Sequence, residues 1–227
     1  MGNSTRKVLD AITVLAAAAA PLLACGDDPG ESPAFAPVRF EINRSEAANA
    51  SASAPDLAVG GTQQITPDAV SSLTVTVTGI ECQLSGVAEG SEDGWVTVSL
   101  DDPVTLDLLA LPVADASPVV IATGVLPVGS YQHVRLFVSA AQISFANDLI
   151  LGSVTFDAGL IYDVTIPSVA QSGIKTDVQF VVTADGEGAV SAVPLLFDPS
   201  ATFVNATVTG TGQVMLAPVI TAGAGAD

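Results

Sequence analysis

Basic residues are scarce in this sequence of 227 residues. Lys and Arg total 6 against 24 Asp and Glu, so the formal net charge is −18. A nucleic-acid-binding protein neutralises phosphates with Lys and Arg, and this charge balance excludes that class. Cysteine is equally scarce. Two cysteines can form only one disulfide, which excludes a small scaffold stabilised by several disulfides. The hydrophobic fraction of 49% is too high for a disordered chain, so we expect a folded acidic domain.

Side chains that usually carry catalysis are also few. His133 is the only histidine, which excludes a zinc site built on several histidines. A Ser–His–Asp triad would have to use His133, which lies on a predicted strand on the same face as Tyr131 and Arg135, and no Gly-x-Ser-x-Gly motif is present. One Trp and two Tyr leave few aromatic platforms for a sugar. We therefore predict no catalytic residue and no cofactor, with a carboxylate-dependent hydrolase as the enzymatic alternative.

The N-terminus has the charge order of a secretory signal peptide. Arg6 and Lys7 precede an uncharged, mostly apolar run at 11–24, and Cys25 follows. This run of 14 residues is shorter than the ~20 apolar residues of a membrane-spanning helix, which suits a cleaved signal peptide. The Leu-Leu-Ala-Cys at 22–25 resembles the bacterial lipobox, although its second leucine is larger than usual. The resemblance implies cleavage after residue 24 and a diacylglyceryl group on Cys25. An ordinary signal peptide that happens to carry a cysteine is the alternative.

The lipobox resemblance divides the chain into a signal peptide at 1–24 and a flexible tether at 25–37. The tether is a polar stretch rich in Pro and Gly, which holds a domain away from a bilayer. Stable attachment takes at least two acyl chains, and the lipidated cysteine of a lipoprotein carries several. The expected location is therefore the cell envelope, on the periplasmic or extracellular face of a membrane. After cleavage Cys82 would be the only other cysteine, and we interpret it as a small buried hydrophobic residue.

Period-two alternation predicts strands through the rest of the chain. At 73–78 apolar residues alternate with threonines, and after Gly79 the apolar set shifts to Ile80, Cys82 and Leu84. A regular strand cannot change faces without an extra residue, so we predict a β-bulge at Gly79–Ile80. Further strands are predicted near 38–42, 96–100, 134–138, 152–156, 162–166, 178–182, 189–196, 203–209 and 213–220.

These strands predict an all-β fold, an antiparallel β-sandwich of immunoglobulin-like or transthyretin-like type. Turn sequences separate the strands at 92–94, 126–129 and 184–188, and the stretch at 106–111 forms at most one helical turn before Pro112. We expect a single domain over 38–220, with a long Ala/Ser-rich loop at 45–61 and a disordered tail at 221–227.

Five stretches in order resemble one known family. They are Thr105–Leu111, Leu126–Leu136, Ile166–Lys175, Leu196–Asp198 and Leu216–Ile220, with the Trp-Val-Thr at 95–97. Over roughly 38–220 the chain is similar to the bacterial and archaeal lipoprotein family called domain of unknown function 4382. The chain departs from the family in its first hairpin, where an Ala/Ser-rich loop replaces a Thr-Asp-Ala-Pro-like turn, and at Thr176. The resemblance implies an exported β-sandwich and no established activity.

Two of the few bases fall inside these stretches. We expect Arg135 and Lys175 each to pair with a carboxylate, such as Asp107 or Asp198, in structural ion pairs. Tyr131 is expected to cover the turn at 126–129 while its neighbours enter the core.

Three functions stay open on the sequence alone. The leading hypothesis is a non-enzymatic, lipid-anchored module that presents loops to a protein or carbohydrate partner of the envelope. The second is a structural or calcium-stabilised envelope module, whose oxygen ligands could come from Asp101-Asp102 or Asp185-Gly186-Glu187. The third is the hydrolase, which needs two carboxylates held together in a cleft.

Overall fold

Two β-sheets pack face to face in the computed structural model, which describes residues 33–46, 65–88, 90–167, 173–184 and 189–223. These residues belong to one compact unit, Pro33–Asp227. The strands of the described part are β1 (Phe35–Arg44), β2 (Val70–Leu84), β3 (Trp95–Val98), β4 (Val104–Asp107), β5 (Val119–Pro127), β6 (Gly129–Phe145), β7 (Leu149–Leu151), β8 (Val154–Phe156), β9 (Ile161–Thr165), β10 (Ile174–Val182), β11 (Ser191–Asp198), β12 (Thr207–Val208), β13 (Val214–Met215) and β14 (Val219–Ala222). A 3₁₀ turn at Pro67–Ala69 and a short helix α1 at Pro199–Val204 complete these elements.

The first sheet has the strand order β14-β11-β1-β5. β1 pairs in parallel with β11 and antiparallel with β5. Along β1 every second side chain, from Ala36 to Ile42, is buried against the second sheet, and those between them face outward.

The second sheet is built on two long antiparallel strands, β2 and β6. β4 and then β3 pair with the outer edge of β2, while β10 and β9 pair with successive parts of β6. β13 adds in parallel to β9, and β12 pairs with β13. β7 and β8 form a separate two-stranded hairpin. This arrangement confirms the all-β sandwich prediction.

Two bulges keep the long pair in register. Thr76 pairs with Ala140 and Val77 with Val138, so Ser139 is an extra residue in β6. The next pair is Gly79 with Phe137, which makes Thr78 an extra residue in β2. One residue is added to each strand, so the pairing continues beyond the bulges in the register it had before them. The predicted change of face in β2 is confirmed, although the bulge lies just before Gly79 rather than at Gly79–Ile80.

Each bulge changes which residues of its strand face the core. In β2 the buried set shifts from Leu73, Val75 and Val77 to Ile80 and Cys82. In β6 it shifts from Val134, Leu136 and Val138 to Ala141, Ile143 and Phe145. Both halves of both strands therefore bury their apolar side chains in one core.

Several boundaries differ from those expected. β1 begins at Phe35, inside the expected tether, and Pro37 fits there because, among the described residues, the pairing of β1 with β11 begins at Val38. β14 continues to Ala222, so the first residues of the expected tail belong to the first sheet. The signal peptide at 1–24, Cys25 and most of the loop at 45–61 lie outside the described residues.

Two local predictions need correction. The strand predicted at 203–209 is wrong in its first part, because Phe203 lies in α1. Asp198 caps this helix by accepting a hydrogen bond from the Ala201 N–H, and Pro199 follows it with a backbone angle suited to a first helical turn. The stretch at 106–111 ends β4 and then forms a turn.

None of the helices in the described part of the chain has the length and apolar character needed to cross a membrane.

Tyr131 fixes the connection between the two sheets. Its hydroxyl donates a hydrogen bond of 2.8 Å to the Pro127 carbonyl oxygen at the end of β5, and its ring stacks on Phe180 with 4.9 Å between centroids. The side chain is buried, and burial followed by the nearby Cys82 raises the pKa of Tyr131 to about 12. The arrangement resembles a tyrosine corner, in which a hydroxyl ties a strand to the backbone just upstream.

We expect Tyr131→Phe to lower the free energy of unfolding by about 1 kcal/mol, because the Pro127 carbonyl loses its donor. For a domain of this size the melting temperature should fall by about 2–4 °C. Thermal and urea denaturation measure both quantities. Tyr162→Phe, which removes an exposed contact to the Asp157 N–H, is the matched control and should have the smaller effect. Equal stability of Tyr131→Phe and the wild type would contradict this role.

Candidate functional site

The outer face of the second sheet carries two parallel rows of polar and aromatic side chains. Register across β3, β2, β6 and β10 places the members of each row side by side. The first row is Thr97–Glu81–Arg135–Lys175, and the second is Trp95–Gln83–His133–Asp177. We refer to these eight residues as the polar face.

A further irregularity of the long pair, at the end of β2, decides which side chains join the polar face. Gln83 pairs with His133, but Leu84 pairs with Tyr131, so Gln132 is an extra residue in β6. Tyr131 consequently points into the core while His133 points outward. The prediction that Tyr131 shares a face with His133 and Arg135 is therefore wrong.

Arg135 is the centre of the polar face. Its Nε and Nη2 each lie 2.6 Å from Glu81 Oε2, and its Nη1 donates to Glu92 Oε2 at 2.9 Å. The guanidinium carbon lies 4.1 Å from the centre of the Trp95 ring, which adds a cation–π contact. Burial alone would lower the pKa of Arg135, but the hydrogen bonds with Glu92 and Glu81 outweigh it and raise that pKa. Arg135 is thus a permanent cation held between two carboxylates and an indole.

Neither Arg135 nor Lys175 pairs with the carboxylates expected for it, Asp107 and Asp198. Asp107 instead accepts hydrogen bonds from the backbone N–H groups of Leu73 and Leu109, and Asp198 caps α1. Within the described residues Lys175 has no carboxylate at ion-pair distance, and its Nζ lies 5.9 Å from the centre of the Trp95 ring. The expected ion pair is therefore present for Arg135 with other partners and is not found for Lys175.

The loop between β2 and β3 folds back over one end of the polar face. The buried Gln83 amide donates to the carbonyl oxygens of Ser91 and Asp93, both at 2.9 Å. The Gln132 amide donates to the Val87 carbonyl oxygen at 3.0 Å. With the Glu92–Arg135 contact, these bonds fix the loop to the sheet from both sides.

An open groove of about 340 Å³ lies between this loop and β10. It is lined by Val87, Gln132, His133, Asp177 and Gln179. His133 Nδ1 lies 2.7 Å from Asp177 Oδ1, with the His133 side chain 14% exposed and that of Asp177 87% exposed. The groove thus combines neutral amides, a histidine–aspartate pair and one aliphatic side chain.

The two carboxylates brought together here do not form an acid–base pair. Glu81 and Glu92 both contact Arg135, which occupies the space between them. A glycosidase instead needs one carboxyl that holds a proton and a second that stays ionised. The arrangement of Glu81, Arg135 and Glu92 is that of an ion-pair network.

The expected calcium ligands are not gathered in the described part of the chain. Asp101 and Asp102 are exposed and line a second groove of about 300 Å³ beside β5. No group of three His, Cys, Asp or Glu side chains that could hold a metal comes together among the described residues. Asp185, Gly186 and Glu187 lie outside them.

Sequence reasoning missed the loop and the two glutamates. Trp95 belongs to a stretch that the sequence had indicated, but Glu81 and Glu92 are separated from Arg135 by 54 and 43 residues. The sequence offered one signal for this site. Because it shows that Ile80 and Cys82 face the core, it also places the acidic Glu81 on the outer face of the strand.

We expect Arg135→Met to lower the free energy of unfolding by about 2 kcal/mol, because Glu81 and Glu92 would lose charged hydrogen-bond donors while the packing on Trp95 is largely kept. The control is Arg39→Met, which breaks a single ion pair with Glu41 whose arginine is 45% exposed, and it should cost no more than about 1 kcal/mol. Urea denaturation of both variants gives the comparison. Equal losses would show that Arg135 is no more than a surface charge.

A second prediction concerns Cys82, which is fully buried in the core. Burial, with a smaller contribution from Glu81, raises the pKa of its thiol, so little reactive thiolate forms at neutral pH. In a chain of residues 25–227, Ellman's reagent should therefore titrate one thiol, Cys25, under native conditions and two after denaturation. Two fast thiols in the native protein would contradict the burial of Cys82.

Comparison with known proteins identifies the family. The model of the family described as domain of unknown function (DUF4382) matches residues 62–218, which is more than half of the chain. The chain therefore belongs to this family, as the resemblance in the sequence predicted. No curated protein and no solved structure matches it, so the choice between an immunoglobulin-like and a transthyretin-like topology stays a prediction.

Proposed function

We propose that this member of the DUF4382 family is a lipid-anchored, non-enzymatic binding module of the cell envelope, and that it binds its ligand in the groove of the polar face. The observation that carries the proposal is the convergence of His133, Asp177 and two glutamine side chains on one open groove. A concave site with a few convergent polar groups is the usual form of a ligand site.

Rigidity supports binding at this groove. Gln83 and Gln132 hold the loop that forms one wall, and paired strands supply the opposite wall. Binding residues on a fixed scaffold lose little conformational entropy when a ligand arrives. The Arg135 network strengthens the same support, since Glu92 comes from the loop and Glu81 from the sheet.

The lining favours a carbohydrate over a protein partner. Its polar groups are two amides, an imidazole and a carboxylate, which can exchange hydrogen bonds with sugar hydroxyl groups. Its volume of about 340 Å³ suits a small ligand, whereas a stable protein interface needs roughly 800 Å² on each partner. The carboxylate of Asp177 and the strongly acidic chain favour a neutral glycan over an anionic one.

The anchor belongs to the same proposal and is supported by the sequence of the first 25 residues. Arg6 and Lys7, the apolar run and the lipobox-like residues end at Cys25, where lipid would be attached. The module would then be held at the membrane while its groove meets envelope glycans.

Asp177→Ala tests the groove. Because Asp177 is 87% exposed, its removal should leave the fold intact but lower the affinity for a neutral oligosaccharide about tenfold, as expected for the loss of a hydrogen bond to a charged group. The measurement is binding to an array of neutral envelope oligosaccharides, followed by calorimetry on the best of them. Asp102→Ala, another exposed aspartate beside a different groove, is the control and should bind normally.

Two outcomes would contradict the glycan proposal. One is that no oligosaccharide binds the wild-type protein. The other is that Asp102→Ala weakens binding as much as Asp177→Ala, which would separate binding from the groove.

Cys25→Ala tests the anchor. In cells fed an alkyne analogue of palmitate, the wild-type chain should be labelled and sediment with membranes, because acylation supplies the membrane affinity. The variant should carry no label and leave the membrane fraction. Cys82→Ala is the matched control and should be labelled like the wild type. Equal labelling of Cys25→Ala and the wild type would remove the anchor.

A further inference from the structure

The outer face of the first sheet is unusually apolar for a protein of this charge. Its outward side chains come from β1, β5, β11 and β14, and no described element covers them. We call this the apolar face and define it as Phe35, Pro37, Arg39, Glu41, Val120, Thr123, Val125, Pro127, Ala192, Pro194, Leu196 and Thr221. Phe35 is 59% exposed and Val125 60%, and with their cross-strand partners Pro127 and Pro37 they form a contiguous apolar patch of the kind that marks an interaction surface.

The apolar face carries no net charge. Arg39 and Glu41 are its only charged residues, and they pair with one another. The whole chain has a net charge of −18, so this neutral set of residues differs from the chain as a whole, and the exposed Asp101 and Asp102 lie at its β5 edge, where they line a groove with Val120 and Thr123. A neutral, weakly polar surface avoids the charge desolvation that contact with a lipid surface would otherwise cost.

The position of the chain end identifies the surface that this face meets. Phe35 is the first residue of β1 and follows Cys25 by ten positions. Ten residues span at most ~35 Å when fully extended, so a lipid on Cys25 would hold the apolar face within that distance of the bilayer. A free partner would have no comparable confinement.

We propose that the apolar face docks on the surface of the lipid bilayer, with Phe35 and Val125 at the level of the headgroups. The inference rests on the lipid anchor of the proposed function. The polar face lies on the opposite side of the sandwich, on the outer surface of the other sheet. Docking therefore turns the groove away from the membrane, toward ligands of the envelope.

The test uses residues 25–227, which contain every described element, coupled through Cys25 to a maleimide lipid in phosphatidylcholine vesicles. Cys82 is buried and should not couple. Phosphatidylcholine brominated on its acyl chains quenches tryptophan that enters the bilayer. The wild type carries only Trp95, on the polar face, and gives the background signal. Phe35→Trp adds a reporter on the apolar face, and Val181→Trp adds the matched control.

Val181 suits the control because it is 56% exposed and lies on the outer side of β10, on the sheet that carries the polar face. We expect brominated lipid to remove most of the fluorescence added by Phe35→Trp and little of that added by Val181→Trp or present in the wild type. Adding Val125→Glu to Phe35→Trp should abolish the quenching, since Val125 pairs with Pro37 and is therefore the diagonal neighbour of Phe35 on the same face.

Other outcomes would overturn the docking or separate it from the anchor. Equal quenching of Phe35→Trp and Val181→Trp, or none of either, would overturn the docking. Sedimentation of the untethered chain as a dimer that Val125→Glu dissociates would assign the face to a second copy and also overturn it. The maleimide lipid replaces cellular lipidation, so the vesicle experiment does not depend on the anchor. If brominated lipid selectively quenches Phe35→Trp but Cys25→Ala is labelled in cells like the wild type, the apolar face has affinity for lipid and the anchor at Cys25 is rejected.

Discussion

The pairing of β2 with β6 is the interaction on which the rest of the structure depends. These strands of 15 and 17 residues are long enough that uninterrupted alternation would turn the apolar side chains of one half away from the core. One extra residue in each strand, Thr78 and Ser139, reverses the face and leaves the register unchanged. The paired bulges therefore let one continuous core support two successive sets of neighbouring strands, β4 then β3 on one side and β9 then β10 on the other.

The polar face follows from that register. Glu81 meets Arg135 and Gln83 meets His133 only because the bulges cancel before these pairs form. Arg135 then ties the sheet to the loop through Glu92 and supports the indole of Trp95. The buried amide of Gln83 and the extra residue Gln132 fix the other side of the loop. A groove with rigid walls results from residues that are far apart in sequence, which suits recognition better than proton transfer.

The two outer faces of the sandwich have opposite character. The polar face concentrates amides, an ion-pair network and an indole, while the apolar face exposes aliphatic and proline side chains around one internal ion pair. Cys25, the proposed anchor, precedes the first residue of β1 by ten positions, so the apolar face is on the sheet that contains the strand nearest to it in sequence. Under the two proposals this asymmetry would orient the domain, with membrane contact on one sheet and ligand contact on the other.

Much of the fold could be predicted from sequence because strand alternation is a local pattern. The change of face after Gly79 was visible in the spacing of Ile80 and Cys82, and the family was recognisable from five short stretches. The partners of Arg135 could not be predicted, since they depend on register between strands. Helix α1 was missed although Asp198-Pro199 is a capping sequence, because the apolar residues around Phe203 also fit a strand. The groove was missed because its walls come from three separate segments.

Cysteine scanning along β2 tests the change of face most directly. Single cysteines would be placed in residues 25–227 with Cys25 and Cys82 replaced by alanine, and their rates of reaction with a maleimide measured. The account predicts that cysteines at positions 76, 78 and 81 react rapidly, while those at 75, 77 and 80 are protected. Unbroken alternation through the strand, with position 80 reactive and position 81 protected, would contradict it.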